Sequence, residues 1–105
     1  MKILLDESLP KRLKKDFREY RVKTVPEVGW QGKKNGELMK LMAGGFDVFI
    51  TADQNLQYQL NLRNTLIPVI ILAGTTNRYE DLKGFVPKVI AYLKSSALRG
   101  IKKIS

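Results

Sequence analysis

Short apolar runs recur along this chain, and the segments between them carry apolar residues at helical spacing. In chain order the strand candidates are the runs Lys2 to Leu5, Arg21 to Val25, Phe46 to Thr51, Leu66 to Ala73 and Ile101 to Ile104, of which the first, third and fourth are mostly apolar. They show no clear alternation of polar and apolar residues, which is the pattern of strands covered on both faces. Strands that alternate with helices in this way specify a parallel sheet between two helical layers. The expectation is an α/β chain of three layers, with a parallel sheet of four to five short strands and helices on both faces.

The intervening segments have their own punctuation. Leu9, Leu13, Phe17 and Tyr20 recur at helical spacing, with Lys11, Arg12, Lys14, Lys15 and Arg18 off that stripe. Ser8 is placed to cap this helix, and Pro10 suits its first turn. Pro26 stops the second run. Val28 to Asn35 reads as a loop, with Gly29 and Gly32 flanking Trp30 and Gln31. Asn35 is placed to cap a helix through Ala43, ended by Gly44 and Gly45. Asn55 to Leu62 suits a short helix, and Pro68 belongs at the first residues of the fourth run. Arg78 to Ser96 is helical in pattern, with Leu82, Val86, Val89, Ile90 and Leu93 on one face; Gly84 and Pro87 are expected to split it. No repeat or linker divides the chain, so one domain is expected over residues 1–105.

Composition narrows the chemistry. Cysteine and histidine are both absent. That excludes disulfides, thiolate zinc sites, cysteine nucleophiles and any Ser-His-Asp triad. Carboxylates with a hard divalent cation, Mg²⁺ or Mn²⁺, suit what remains, because such ions prefer oxygen ligands. The longest apolar run, Val69 to Ala73, falls far short of the roughly 20 residues that cross a bilayer. An acid at position 6 interrupts what a secretory signal would continue. A soluble, cytoplasmic protein without membrane contact is expected. Nineteen Lys and Arg against ten Asp and Glu give a net charge of +9, which favours polyanions such as RNA as partners.

Two of the runs end in acids: Asp6, followed by Glu7, and Asp53. In a parallel sheet both would project from the carboxyl edge, where α/β proteins bind ligands. Either residue alone could simply cap the turn that follows it. Together they are expected to form a site, since clustered acids gain most from a cation that neutralises them. Glu37, in the first turn of the second helix, is a third candidate ligand, although the helix dipole already explains an acid there. A divalent ion held by such acids supports in-line displacement at phosphorus.

Other residues have readings of both kinds. Lys33, Lys34, Arg63 and Arg78 are candidates to clamp phosphates, or form an ordinary solvated surface. Tyr58, with Gln54, Asn55, Gln57, Gln59 and Asn61, makes an amide-rich segment that either reads substrate groups or is merely a polar face. Trp30 could stack on a base, although a lone Trp closing over a core is commoner. Thr51 could orient a water, or serve only as a β-branched strand residue.

The segments Met1-Lys-Ile-Leu-Leu-Asp-Glu-Ser-Leu-Pro, Gly29-Trp-Gln-Gly-Lys-Lys-Asn-Gly-Glu-Leu and Phe46-Asp-Val-Phe-Ile-Thr-Ala-Asp-Gln-Asn-Leu carry a resemblance. From Met1 to about Leu93 the chain resembles a family of small prokaryotic PIN-like proteins, which are similar to the PIN-domain ribonucleases of toxin–antitoxin pairs. The resemblance implies a PIN-like three-layer fold and a metal-dependent ribonuclease using Mg²⁺ or Mn²⁺. By motif, Asp6 matches the first-strand acid, Asp53 the acid after the Thr-Ala pair, and Glu37 the helix acid. At the fourth position, two residues beyond Asp53, this chain has Asn55 instead of an acid; an amide oxygen can ligate a metal but brings no charge. The resemblance admits an antitoxin protein and a second copy of the chain as partners.

Two other classes fit parts of the same pattern. A non-catalytic PIN-like module would bind RNA or protein without cleaving. A receiver-like phosphoacceptor domain would use Asp53 as acceptor, with Asp6 and Glu7 holding Mg²⁺; the Lys-Pro step typical of receivers is missing.

Overall fold

The computed structural model describes residues 1–59 and 65–105. It is an α/β fold built on a five-stranded parallel sheet of order β2-β1-β3-β4-β5, where β1 is Lys2–Leu5, β2 Arg21–Thr24, β3 Val48–Thr51, β4 Val69–Leu72 and β5 Ile101–Ile104. Each strand sits within one of the five runs, with the two edge strands β2 and β5 partly polar and exposed. The three central strands are almost wholly buried, as a sheet covered on both faces requires.

Alternation along the strands sends successive side chains to opposite layers. Ile3, Leu5, Val48, Ile50, Ile70 and Leu72 enter the first layer, where they meet Leu13 and Phe17 of a 3-10 helix (Lys11–Phe17). The same layer holds Leu82 of α3 (Tyr79–Leu82) and Val86, Val89 and Leu93 of α4 (Val86–Leu93). Leu4, Phe49, Val69 and Ile71 enter the second layer, against Leu38, Met39 and Met42 of α1 (Asn35–Ala43) and Leu56 of α2 (Leu56–Gln59).

The crossovers do not all share one hand. The chain steps from β1 to β2 over the first face, and from β2 to β3 and β3 to β4 in the opposite direction over the second face; these three crossovers therefore have the same hand. From β4 to β5 it continues in that second direction, but α3 and α4 lie on the first face. This last crossover is opposite in hand to the other three, against the strong uniformity of βαβ units. It packs α4 against the 3-10 helix.

Local outcomes follow from hydrogen-bonding demand. Residues 11–17 form a 3-10 helix capped by Pro10 with no side-chain bond, because the Ser8 hydroxyl is engaged elsewhere. Asn35 is the first residue of α1, and Lys34 precedes it without a capping side chain. The 78–96 segment divides at Gly84 and Pro87 as expected, into α3, a 3-10 turn (Lys83–Phe85) and α4 with Pro87 in its first turn. Gly29 and Gly32 take φ of 78° and 81°, the left-handed region that favours glycine. Between them Trp30 meets Phe46 edge to face, at a centroid distance of 6.0 Å. Trp30 is thus a half-buried lid on the second core layer. Among the described residues, no helix is long and apolar enough to cross a membrane.

The turn after β2 is pinned by Glu27. Its carboxylate accepts from Lys14 Nζ at 2.8 and 3.0 Å and from the Thr24 backbone N–H at 2.9 Å. The Lys14 bond, then the Thr24 bond, hold the Glu27 pKa down at about 2, from an ordinary 4.5. A lowered folded-state pKa stabilises the fold above the unfolded value, and the benefit is lost as pH falls through the folded one. A half-exposed pair of this kind contributes under about 1 kcal/mol. In thermal melts, wild type should exceed Glu27→Gln in melting temperature above about pH 4.5 and converge with it as pH approaches about 2. A gap independent of pH would show that the charge on Glu27 is not what stabilises this turn.

Candidate functional site

The strand order reverses its direction of growth at β1, between β2 and β3, and that is where a parallel sheet opens a crevice at its carboxyl edge. Here Asp6 leaves β1 and Asp53 follows β3 by two residues. Both line one open cleft of about 510 Å³. Glu7, Ser8, Gln54, Asn55 and Asn77 complete its polar wall.

Asp6 is fixed from below. Its Oδ2 accepts from the hydroxyls of Ser8 and Thr51, each at 2.7 Å. Thr51 is fully buried, and its Oγ1 also accepts the Asp53 backbone N–H at 3.0 Å. Ser8 Oγ in turn accepts the Ala52 N–H at 3.2 Å. Backbone bonds reinforce the seam: the Asp6 N–H donates to the Ile50 carbonyl at 2.9 Å. Two hydroxyls thus tie the end of β1 to the end of β3 and aim the Asp6 carboxylate.

Asp53 is held by its own turn. Its Oδ1 accepts the Asn55 N–H at 3.0 Å, and its carbonyl accepts the Leu56 N–H at 3.1 Å, opening α2. The capping role and the site position coincide in one residue. Gln54 reaches across to donate from Nε2 to the Gly74 carbonyl at 3.2 Å, which links the β3 and β4 ends of the wall. Gly74 is close-packed: a Cβ there would stand 2.9 Å from Leu82 Cδ2 and 3.1 Å from the Thr76 carbonyl.

A search of protein-family models, curated proteins and solved structures finds no match to this chain. The site is therefore read from its own geometry.

That geometry corrects part of the expected ligand set. Glu37 does not line the cleft; its carboxylate pairs with Lys33 Nζ at 3.2 Å, one turn back along the chain. Among the described residues, no three acids gather closely enough to hold an ion between them. The expected third carboxylate is thus missing from the site, and Asp6, Asp53 and Asn55 remain as cleft residues. Glu7 also lines the cleft, and its Oε1 accepts the Gly32 N–H at 3.4 Å. Thr51 orients Asp6 itself.

None of Lys33, Lys34, Tyr58 and Arg78 lines the cleft. Lys34, Tyr58 and Arg78 are exposed, Lys33 is half-buried beside Glu37, and Arg63 lies outside the described residues, as does Asn61. Ser8 and Asn77 were not singled out as site residues. The Asp-x-Ser spacing at 6 and 8 could have drawn attention to the serine; nothing in the polar Thr75-Thr76-Asn77 stretch distinguishes the asparagine.

Thr51→Val should cost about 1–3 kcal/mol in urea denaturation, because the Asp53 N–H loses its acceptor and Asp6 loses a donor. Thr51→Ser, which keeps the hydroxyl, should recover most of that. A loss in Thr51→Val no larger than that in Thr51→Ser would show that the hydroxyl contributes no more than the methyl group beside it.

Proposed function

We propose that this chain is a divalent-metal-dependent ribonuclease of the PIN-like type, acting through the cleft that holds Asp6 and Asp53. The observation that carries the reading is that both strand-end carboxylates line a single cleft at the switch point of the sheet. The motif resemblance around Asp6 and Asp53 supports it, and so does the net charge of +9, which suits a polyanionic substrate.

The donor set fits a hard cation. The cleft's polar side chains bring carboxylate, amide and hydroxyl oxygens and no sulfur or imidazole. Mg²⁺ commonly takes one or two carboxylates, waters and substrate phosphate oxygens, so two acids suffice if RNA supplies the rest. Asp6 and Asp53 would hold the ion, with the Asn55 amide oxygen and Glu7 beside them. When bound, a divalent ion acts there as a Lewis acid that offsets the charge developing at phosphorus.

The chain's own residues do the positioning. Ser8 and Thr51 fix the Asp6 carboxylate so that little reorganisation is needed on binding. The Asn55 N–H restrains Asp53 in the same way. The reaction class is phosphodiester hydrolysis, in which water forms a new bond to phosphorus and the bond to the leaving oxygen breaks.

Asp53→Asn should lower Mn²⁺-dependent cleavage of single-stranded RNA by about a hundredfold, the equivalent of about 2.7 kcal/mol of lost charge stabilisation. Calorimetry should show Mn²⁺ affinity lost in the same variant. Glu37→Gln should cleave like wild type, because its carboxylate is engaged with Lys33. Full activity in Asp53→Asn would end this assignment.

One observation keeps the receiver-like reading in view: receiver domains share the strand order 2-1-3-4-5, with their ligand site between β1 and β3. Against it, no lysine is among the described residues lining the cleft, and the last crossover runs over the opposite face from a uniformly wound sheet. Exposure to a small phosphodonor followed by intact-mass measurement separates the readings, since only a receiver gains a phosphoryl group on Asp53.

A further inference from the structure

A second cleft lies on the first face of the sheet, between the 3-10 helix and α3. It encloses about 380 Å³ and is lined by Arg12, Lys15, Asp16, Arg18 and Tyr79. Three cations around one cavity form a phosphate-attracting wall. The Arg12 guanidinium lies over the Tyr79 ring at 4.2 Å from its centroid, which makes a flat cationic and aromatic surface. Arg12 is only loosely held otherwise, 3.8 Å from an exposed Glu80 carboxylate.

Asp16 is the telling residue. Its Oδ2 is buried yet has no hydrogen-bond partner among the described residues. A hydrogen bond between the Tyr79 phenol and the same carboxylate, with help from burial, raises the Tyr79 pKa above its ordinary value and still leaves Oδ2 unpaired. An unsatisfied buried acceptor calls for a donor. A cavity that combines phosphate-binding cations, a flat stacking surface and a carboxylate acceptor matches a nucleotide whose base carries an amino group. Single-stranded RNA is read in this way, through bases stacked on aromatic or guanidinium planes and bonded along their edges.

We propose that this cleft binds one unpaired nucleotide of single-stranded RNA, with Lys15 and Arg18 on the phosphates, the base on the Arg12–Tyr79 surface and Asp16 accepting from the exocyclic amine of that base. The proposal rests on RNA being the substrate of the acid cleft, which adjoins this one along the chain. Ser8 lines the first cleft and Arg12 the second, four residues on; Asn77 and Tyr79 repeat the relation two residues apart.

The test uses the full chain in EDTA, where no cleavage occurs, and fluorescence anisotropy with oligocytidine and oligouridine of equal length. Wild type should prefer oligocytidine about tenfold, since a carboxylate accepts from the cytosine amine and faces an oxygen in uracil. Asp16→Ala should bind both equally. Lys15→Gln with Arg18→Gln alters two exposed side chains; it should weaken binding of both oligomers and reduce the salt slope by about 1.4, two single-strand phosphate contacts. Asp6→Asn should keep the cytidine preference. Absence of that preference in wild type, its persistence in Asp16→Ala, or an unchanged salt slope in the double variant would overturn the proposal. Equal competition by an acidic peptide would do so as well, by showing that the cleft senses charge without reading a base. Failure here leaves the Asp53→Asn cleavage result standing, and the reverse holds.

Discussion

A parallel sheet buried on both sides tolerates no polar side chain until its strands run out. Ile3 to Leu5, Val48 to Thr51 and Val69 to Leu72 are accordingly sealed between two layers of helix. Polar function is thereby confined to the ends of the strands, and the reversal of direction beside β1 leaves room at only one end for a crevice. Helix lengths, loop positions and the location of the acids all follow from keeping that sheet dry.

Thr51 marks the boundary between the two regimes. It is a strand residue by backbone and fully buried, yet its hydroxyl is satisfied twice, by the Asp6 carboxylate and by the Asp53 N–H. A buried hydroxyl without partners would cost stability, whereas one that bridges two strand ends fixes their separation. Ser8 does the same from the other side through Ala52. The fold itself thus fixes where the Asp6 carboxylate and the Asp53 backbone stand.

The central strands were legible because burial on both faces forces continuous apolar runs, and the positions of Asp6 and Asp53 at the carboxyl edge were legible because they follow those runs. Pro87 and Gly84 announced the break in the last helix through the missing N–H and the absent side chain. Glu37 stands away from the cleft for a physical reason. Helix position says that an acid suits the first turn of α1, but the direction of its side chain depends on Lys33, which captures it one turn back. Ser8 was misassigned in a similar way: a hydroxyl after a strand serves a helix N-terminus or a neighbouring strand equally well, and the partner was 43 residues away at Thr51. Strand order and the face taken by each helix depend on packing between distant segments, which no local spacing encodes.

The reversed final crossover has a consequence beyond topology. Had the chain wound uniformly, α3 would lie under the sheet with α1 and α2, and Tyr79 would be separated from Arg12 by the whole thickness of the strands. Turning back over the first face brings a segment from the C-terminal third alongside one from the first twenty residues, and their meeting line becomes a basic gutter that neither segment could form alone. An irregularity of winding thus creates a concave surface that a uniformly wound sheet would lack.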